Sequence, residues 1–109
     1  MGILDFLKNT DTVDINRGIE EFKKTEGAVL IDARSPEEYA GGRISGSKNY
    51  PLQNAAAIPE DVPDKGTPIF VYCLSGVRSR RIAAFLQRSG YENIVDLGGM
   101  SGYKGPVEK

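Results

Sequence analysis

The chain contains no histidine. A Ser-His-Asp triad, a Cys-His pair, an H-E-x-x-H metalloprotease helix and a histidine-ligated metal centre are therefore excluded. Cysteine is almost as scarce, because Cys73 is the only one. That removes intrachain disulfides and clustered-thiolate zinc or iron–sulfur sites, and it points to a reducing compartment. No metal and no cofactor are expected. Neither sign of charge is in excess: 14 Lys and Arg against 15 Asp and Glu leave a net charge of −1, which argues against nucleic acid or a membrane surface as partner. Long apolar runs are missing too, and no segment approaches the roughly 20 residues that a membrane span needs. At the N-terminus Ile3, Leu4, Phe6 and Leu7 are interrupted by Asp5 and ended by Lys8, so they make no signal-peptide core. These absences predict a cytoplasmic protein. With 109 residues, 39% of them hydrophobic and 27% charged, the length suits one domain with one core.

What is present alternates short apolar runs with helical patterns. Residues 1–11 form an extension that reads as a short amphipathic helix or a frayed end, and 12–109 form the domain. Asp14 caps a helix with Ile15, Ile19 and Phe22 at helical spacing and a Glu20–Lys24 pair, ending at Gly27. Ala28–Ala33 reads as a strand buried on both faces. Ser35, Pro36 and Glu38 then supply a cap, a first-position proline and a capping box for a short helix through Tyr39, stopped by Gly41-Gly42. From Arg43 to Thr67 the glycines and prolines predict mostly loop, with at most a short helix near Gln53 to Ile58. A second buried strand, Pro68–Cys73, leads to a helix from about Val77 to Ser89 with a stop at Gly90, and a third strand covers Asn93–Leu97. Gly98-Gly99 reads as a turn opening a polar tail. Strands and helices in this order predict an α/β sandwich around a parallel sheet.

The second strand delivers Cys73 into Leu74, Ser75, Gly76, Val77, Arg78 and Ser79, where the next helix begins. Ligands of open α/β sheets bind at such strand ends. Amides of a curved loop and of a first helical turn favour a thiolate, Gly76 lets the loop curl, and Arg78 adds positive charge. The bland alternative is a cysteine that only fills a strand end. Arg80, Arg81 and Arg43 are weaker candidates for attracting an anion, with a solvated surface as the alternative. Asp32 and Arg34, at the end of the first strand, read as a structural ion pair or as support for the site.

The segments Val29-Leu-Ile-Asp-Ala-Arg-Ser-Pro-Glu-Glu-Tyr39, Gly42-Arg-Ile-Ser-Gly46, Tyr50-Pro-Leu52, the Cys73 loop, Gly90-Tyr-Glu-Asn-Ile94 and Gly98-Gly-Met100 together resemble a single-domain rhodanese. The similarity runs from Asp14 to Tyr103. It implies a three-layer α/β sandwich with a mainly parallel five-stranded sheet flanked by helices, and Cys73 as the carrier of a sulfane sulfur. The C-x4-R span from Cys73 to Arg78 is similar to sulfurtransferases, whereas the related cell-cycle phosphatases have one residue more. The sequence departs from the family in having Arg43 where histidine is usual and Tyr103 where an aromatic, often tryptophan, is usual.

The resemblance implies ping-pong transfer from a small-molecule donor such as thiosulfate to cyanide or a thiol, with the amides of Leu74 to Ser79 holding the persulfide. Because there is no second cysteine, the acceptor must be external. A carrier module that delivers sulfur to a partner protein is the alternative, and a cysteine-dependent phosphatase stands behind both.

Overall fold

The computed structural model describes residues 13–109. The extension expected over 1–11 lies outside the described residues. In chain order the elements are α1 (Ile15–Lys24), β1 (Val29–Asp32), α2 (Pro36–Gly41), β2 (Arg43–Ile44), β3 (Ser47–Asn49), a 3-10 helix (Leu52–Ala57), α3 (Ile58–Asp61), β4 (Ile69–Cys73), α4 (Val77–Arg88), β5 (Ile94–Gly99), a 3-10 turn (Met100–Gly102) and β6 (Val107–Glu108).

The main sheet runs β3-β1-β4-β5 with every neighbour parallel. Parallel neighbours need crossovers, and helices on the crossovers cover both faces. Successive residues of the central strands therefore enter opposite halves of the core. Leu30, Phe70 and Tyr72 pack with Ile15 and Ile19 of α1, while Ile31, Val71 and Cys73 pack with Ile82 and Leu86 of α4 and Ile58 of α3. All of these side chains are essentially inaccessible, which explains why β1 and β4 read as unbroken apolar runs.

Local signals place the helices. The Asp14 carboxylate accepts from the Arg17 N–H at 3.2 Å, and the reciprocal capping box between Ser35 and Glu38 opens α2. The exposed pair on α1 joins Glu20 to Lys23 at 3.7 Å, not to Lys24, since residues three apart also share a helix face.

Three features differ from the sequence reading. The segment expected to be mostly loop contains β2 and β3. Ser47-Lys-Asn49 is a short polar edge strand, whose pairing partners are Leu30, Ile31 and Asp32, and it has no apolar alternation to reveal it. Among the described residues the main sheet has four strands, not five; β2 instead joins β6 in a separate antiparallel pair. Gly98-Gly99 lies inside β5 and not in a turn beyond it. There the register slips between Val71 and Tyr72, so that Leu97 is the extra residue of a bulge, a device that re-aims the end of a strand.

Candidate active site

Cys73 is the last residue of β4, with its side chain packed on the α4 face of the sheet and inaccessible to solvent. The chain then turns through Leu74 and Ser75 to Gly76, which adopts φ 99° and ψ −13°, a left-handed conformation that favours glycine. This turn reverses the backbone and aims the Gly76 N–H at Cys73 Sγ, 2.9 Å away. Val77, Arg78 and Ser79 form the first turn of α4. Their amides have no acceptor inside the helix, so the positive end of the helix lies at the loop that follows Cys73.

The loop residues divide by what they touch. Ser79 is buried, and its hydroxyl donates to the Gly76 carbonyl at 3.2 Å, bracing the turn locally. Ser75 is exposed. Leu74 and Val77 are exposed at 47% and 59%, so the loop presents two apolar side chains to solvent. Beneath the loop passes β5. A Cβ added to Gly99 would lie 2.6 Å from the Leu74 carbonyl oxygen and 3.0 Å from Ser75 backbone atoms, so only glycine lets strand and loop approach this closely.

Arg78 turns across to α2. Its Nη1 and Nη2 donate to the two carboxylate oxygens of Glu38 at 2.8 and 3.3 Å. The same carboxylate accepts the Ser35 N–H of the capping box. The Arg78 guanidinium, followed by the Ser35 amide, pulls the Glu38 carboxyl down to about 2. Conversely, Glu38 raises the pKa of Arg78 against the opposing effect of burial, and Cys73 adds a smaller attraction. The charge of Arg78 beside the sulfur is thus already partly neutralised.

Asp32 and Arg34 form a second, buried ion pair. Arg34 Nε donates to both Asp32 oxygens at 3.0 Å, Nη2 donates to Oδ2 at 2.8 Å, and the Arg34 backbone N–H donates to Oδ1 at 2.8 Å. Burial, the largest single influence, lowers the pKa of Arg34, but the hydrogen bond and charge of Asp32, joined by smaller attractions from Tyr72 and Glu38, together outweigh it and raise it. Asp32 Oδ2 also accepts from the Tyr72 hydroxyl at 2.7 Å, and that hydroxyl accepts the Ile44 N–H at 3.1 Å. The pKa of Tyr72 is raised, mainly by burial. Arg34 further donates to the Gly42 carbonyl. These contacts tie β1 to β4 and to the chain around β2, with no hydrogen bond from Asp32 or Arg34 to the Cys73 loop.

The sulfur and its loop therefore come together, whereas Arg43 stacks its guanidinium over the Tyr39 ring at 4.8 Å and Arg80 and Arg81 are exposed on α4. Tyr103 packs against the α1 half of the core. Two contributors escape sequence reasoning. Glu38 carries a visible capping signal, but its partner Arg78 is 40 residues away; Gly99 resembles an ordinary turn glycine. Among the described residues no group of three His, Cys, Asp or Glu is placed to hold a metal ion, and no helix is long and apolar enough to cross a membrane.

Known proteins are similar to this chain in sequence and in fold. The chain is 37% identical over 82 residues to thiosulfate sulfurtransferase GlpE of Actinobacillus succinogenes, covering 74% of this chain and 73% of that protein. It is 36% identical over 80 residues to thiosulfate sulfurtransferase GlpE of Haemophilus influenzae, covering 72% of this chain and 74% of that one. A solved structure described as rhodanese with anions from E. coli superposes with a TM-score of 0.70 at 32% identity, covering 75% of this chain and 98% of that one. The rhodanese-like domain family model spans residues 14–106, enclosing the cysteine loop and every strand of the main sheet. The chain belongs to the rhodanese-like domain family.

Proposed function

We propose that this rhodanese-type sulfurtransferase moves a sulfane sulfur through a persulfide on Cys73. The observation that carries the reading is the position of Cys73 Sγ at the end of β4, where it accepts the N–H of Gly76, the residue that opens α4. The Cys73 thiolate attacks the outer sulfur of a donor such as thiosulfate; the new S–S bond forms as the donor's S–S bond breaks, and sulfite leaves with the electron pair. Cyanide or a thiolate then attacks the outer sulfur and Cys73 departs as thiolate. Fixed amides of Gly76 to Ser79 hold the negative charge of the persulfide as an oxyanion hole holds oxygen. Arg78, fixed by Glu38, adds a positive charge at the rim. Asp32 and Arg34 support the site indirectly, by fixing the strands beneath it.

Mass spectrometry of the intact protein tests this directly. After incubation with excess thiosulfate and no acceptor, the chain should gain the mass of one sulfur atom and lose it when cyanide is added. Folded Cys73→Ser should do neither, because a hydroxyl is a poor nucleophile at neutral pH. Absence of the gain, together with Cys73-dependent hydrolysis of p-nitrophenyl phosphate, would establish phosphatase chemistry instead.

A further inference from the structure

A groove of about 350 Å³ runs along α4, between that helix and the 3-10 helix. Its walls are Leu52, Ala55, Ala84 and Phe85, and Arg81 and Arg88 flank it. The two arginines are seven residues apart, two helical turns or about 10 Å. Both are exposed, and neither forms an ion pair or hydrogen bond among the described residues. Helix α4 reads VRSRRIAAFLQR, with four arginines and no acidic residue, although the whole chain carries a net charge of −1. Positive charge is therefore gathered on this element, and among the described residues only Arg78 is paired there.

The groove lies over the half of the core that holds the sulfur. Ala55 belongs to the same buried cluster as Cys73, with Leu52 and Phe85 packed against it. The helix that forms one wall begins at the persulfide loop, where exposed Leu74 and Val77 extend the apolar surface. Since Cys73 is the only thiol in the chain, the acceptor comes from outside.

Resting on the sulfurtransferase reading, we infer that this groove docks an acidic segment of the protein that accepts the sulfur, with an apolar side chain seated between two carboxylates that pair with Arg81 and Arg88. Docked along α4, the partner brings its thiolate to the loop at the helix start. There the thiolate attacks the outer sulfur, a new S–S bond forms, and Cys73 leaves as thiolate. Opposed charges on such a surface give specificity and speed of encounter, and a groove flanked by unpaired cations disfavours basic partners by repulsion.

The test uses the full chain and Arg88→Glu, a surface change remote from the loop. The probe is a fluorescein-labelled synthetic helical peptide with Leu and Phe on one face, Glu at positions i and i+7 beside them, and a terminal cysteine. Comparison peptides carry Gln or Lys in place of Glu. Anisotropy should show the Glu peptide binding more tightly than the Gln peptide, with the advantage shrinking as salt rises. Arg88→Glu should bind the Glu peptide about tenfold more weakly and the Lys peptide more tightly. As an acceptor from thiosulfate-loaded protein, the Glu peptide should show the same tenfold rise in KM with kcat retained, while thiosulfate-to-cyanide turnover stays at the wild-type level. Equal binding of Glu and Gln peptides to both proteins would overturn the docking site. So would an Arg88-dependent dimer in sedimentation of the protein alone, which would assign the groove to a second copy. Loss of wild-type thiosulfate-to-cyanide turnover with peptide binding intact would instead remove the sulfurtransferase reading.

Discussion

Glu38 serves two structures at once: it closes the capping box of α2 and holds Arg78 at the rim of the sulfur loop. Its pKa falls from the usual carboxylate value to about 2, chiefly through Arg78. A carboxyl whose folded pKa is depressed stabilises the fold above its unfolded pKa, and that contribution disappears as pH falls through the folded value. The window therefore runs from about pH 5 down to about pH 2. Both side chains are about one-third exposed, so solvent screening reduces the contribution to about 1 kcal/mol. Glu38→Gln should lose about that much at pH 7, as read from urea midpoints, and the gap to wild type should close as pH approaches 2. The variant should also show altered thiosulfate turnover, because Arg78 loses its anchor and regains its full charge. A gap that persists unchanged to low pH would mean that Glu38 acts through its cap geometry and not its charge. The cysteine loop itself was legible from composition and order: a lone thiol, a glycine and an arginine at a helix start. The Glu38–Arg78 bond was not, because it joins residues brought together only by the tertiary fold.

At the scale of elements, the strong signals were helix caps and doubly buried strands, and these gave α1, β1, α2, β4 and α4 close to their observed limits. Weak signals belonged to the short edge elements. β3 is polar, and β2 and β6 have two residues each, so periodicity had too little length to act on. The end of β5 was misread because consecutive glycines signal a turn locally, whereas here a bulge and a close backbone approach require them. Gly99→Ala tests that requirement. Its Cβ would meet backbone atoms of Leu74 and Ser75, which cannot move aside as a side-chain tip can, so the loop itself must shift. Overpacking of this kind costs about 1–3 kcal/mol, and a displaced loop should lower sulfur transfer about 100-fold even in the folded variant. Gly102→Ala, where the added methyl meets nothing within 4 Å, should change neither. Wild-type turnover in folded Gly99→Ala would show that the loop tolerates displacement.

Across the whole molecule, the two halves of the core meet at a sheet whose functional end is held by one buried polar network. Asp32 on β1, Arg34 just beyond it, Tyr72 on β4 and the Ile44 amide on β2 satisfy one another away from water. The sequence showed an Asp and an Arg two residues apart at a strand end, but not Tyr72 as their partner, because alternation along β4 identifies a side chain's face and not its hydrogen bonds. Energetically the network is asymmetric. Removing one member strands a buried charge and costs about 3–5 kcal/mol, whereas replacing both charged members with apolar residues avoids that penalty. Arg34→Met should therefore lower the thermal midpoint by more than about 10 °C, and Asp32→Leu/Arg34→Met should lower it by much less than the two single changes combined. Activity separates support from participation. If the pair acts only by fixing the strands, the double variant should transfer sulfur from thiosulfate to cyanide at nearly wild-type kcat when assayed well below its midpoint. A folded double variant with kcat reduced by two orders of magnitude would place the charges of Asp32 and Arg34 in the chemistry itself, with their field acting on Cys73 through the protein interior.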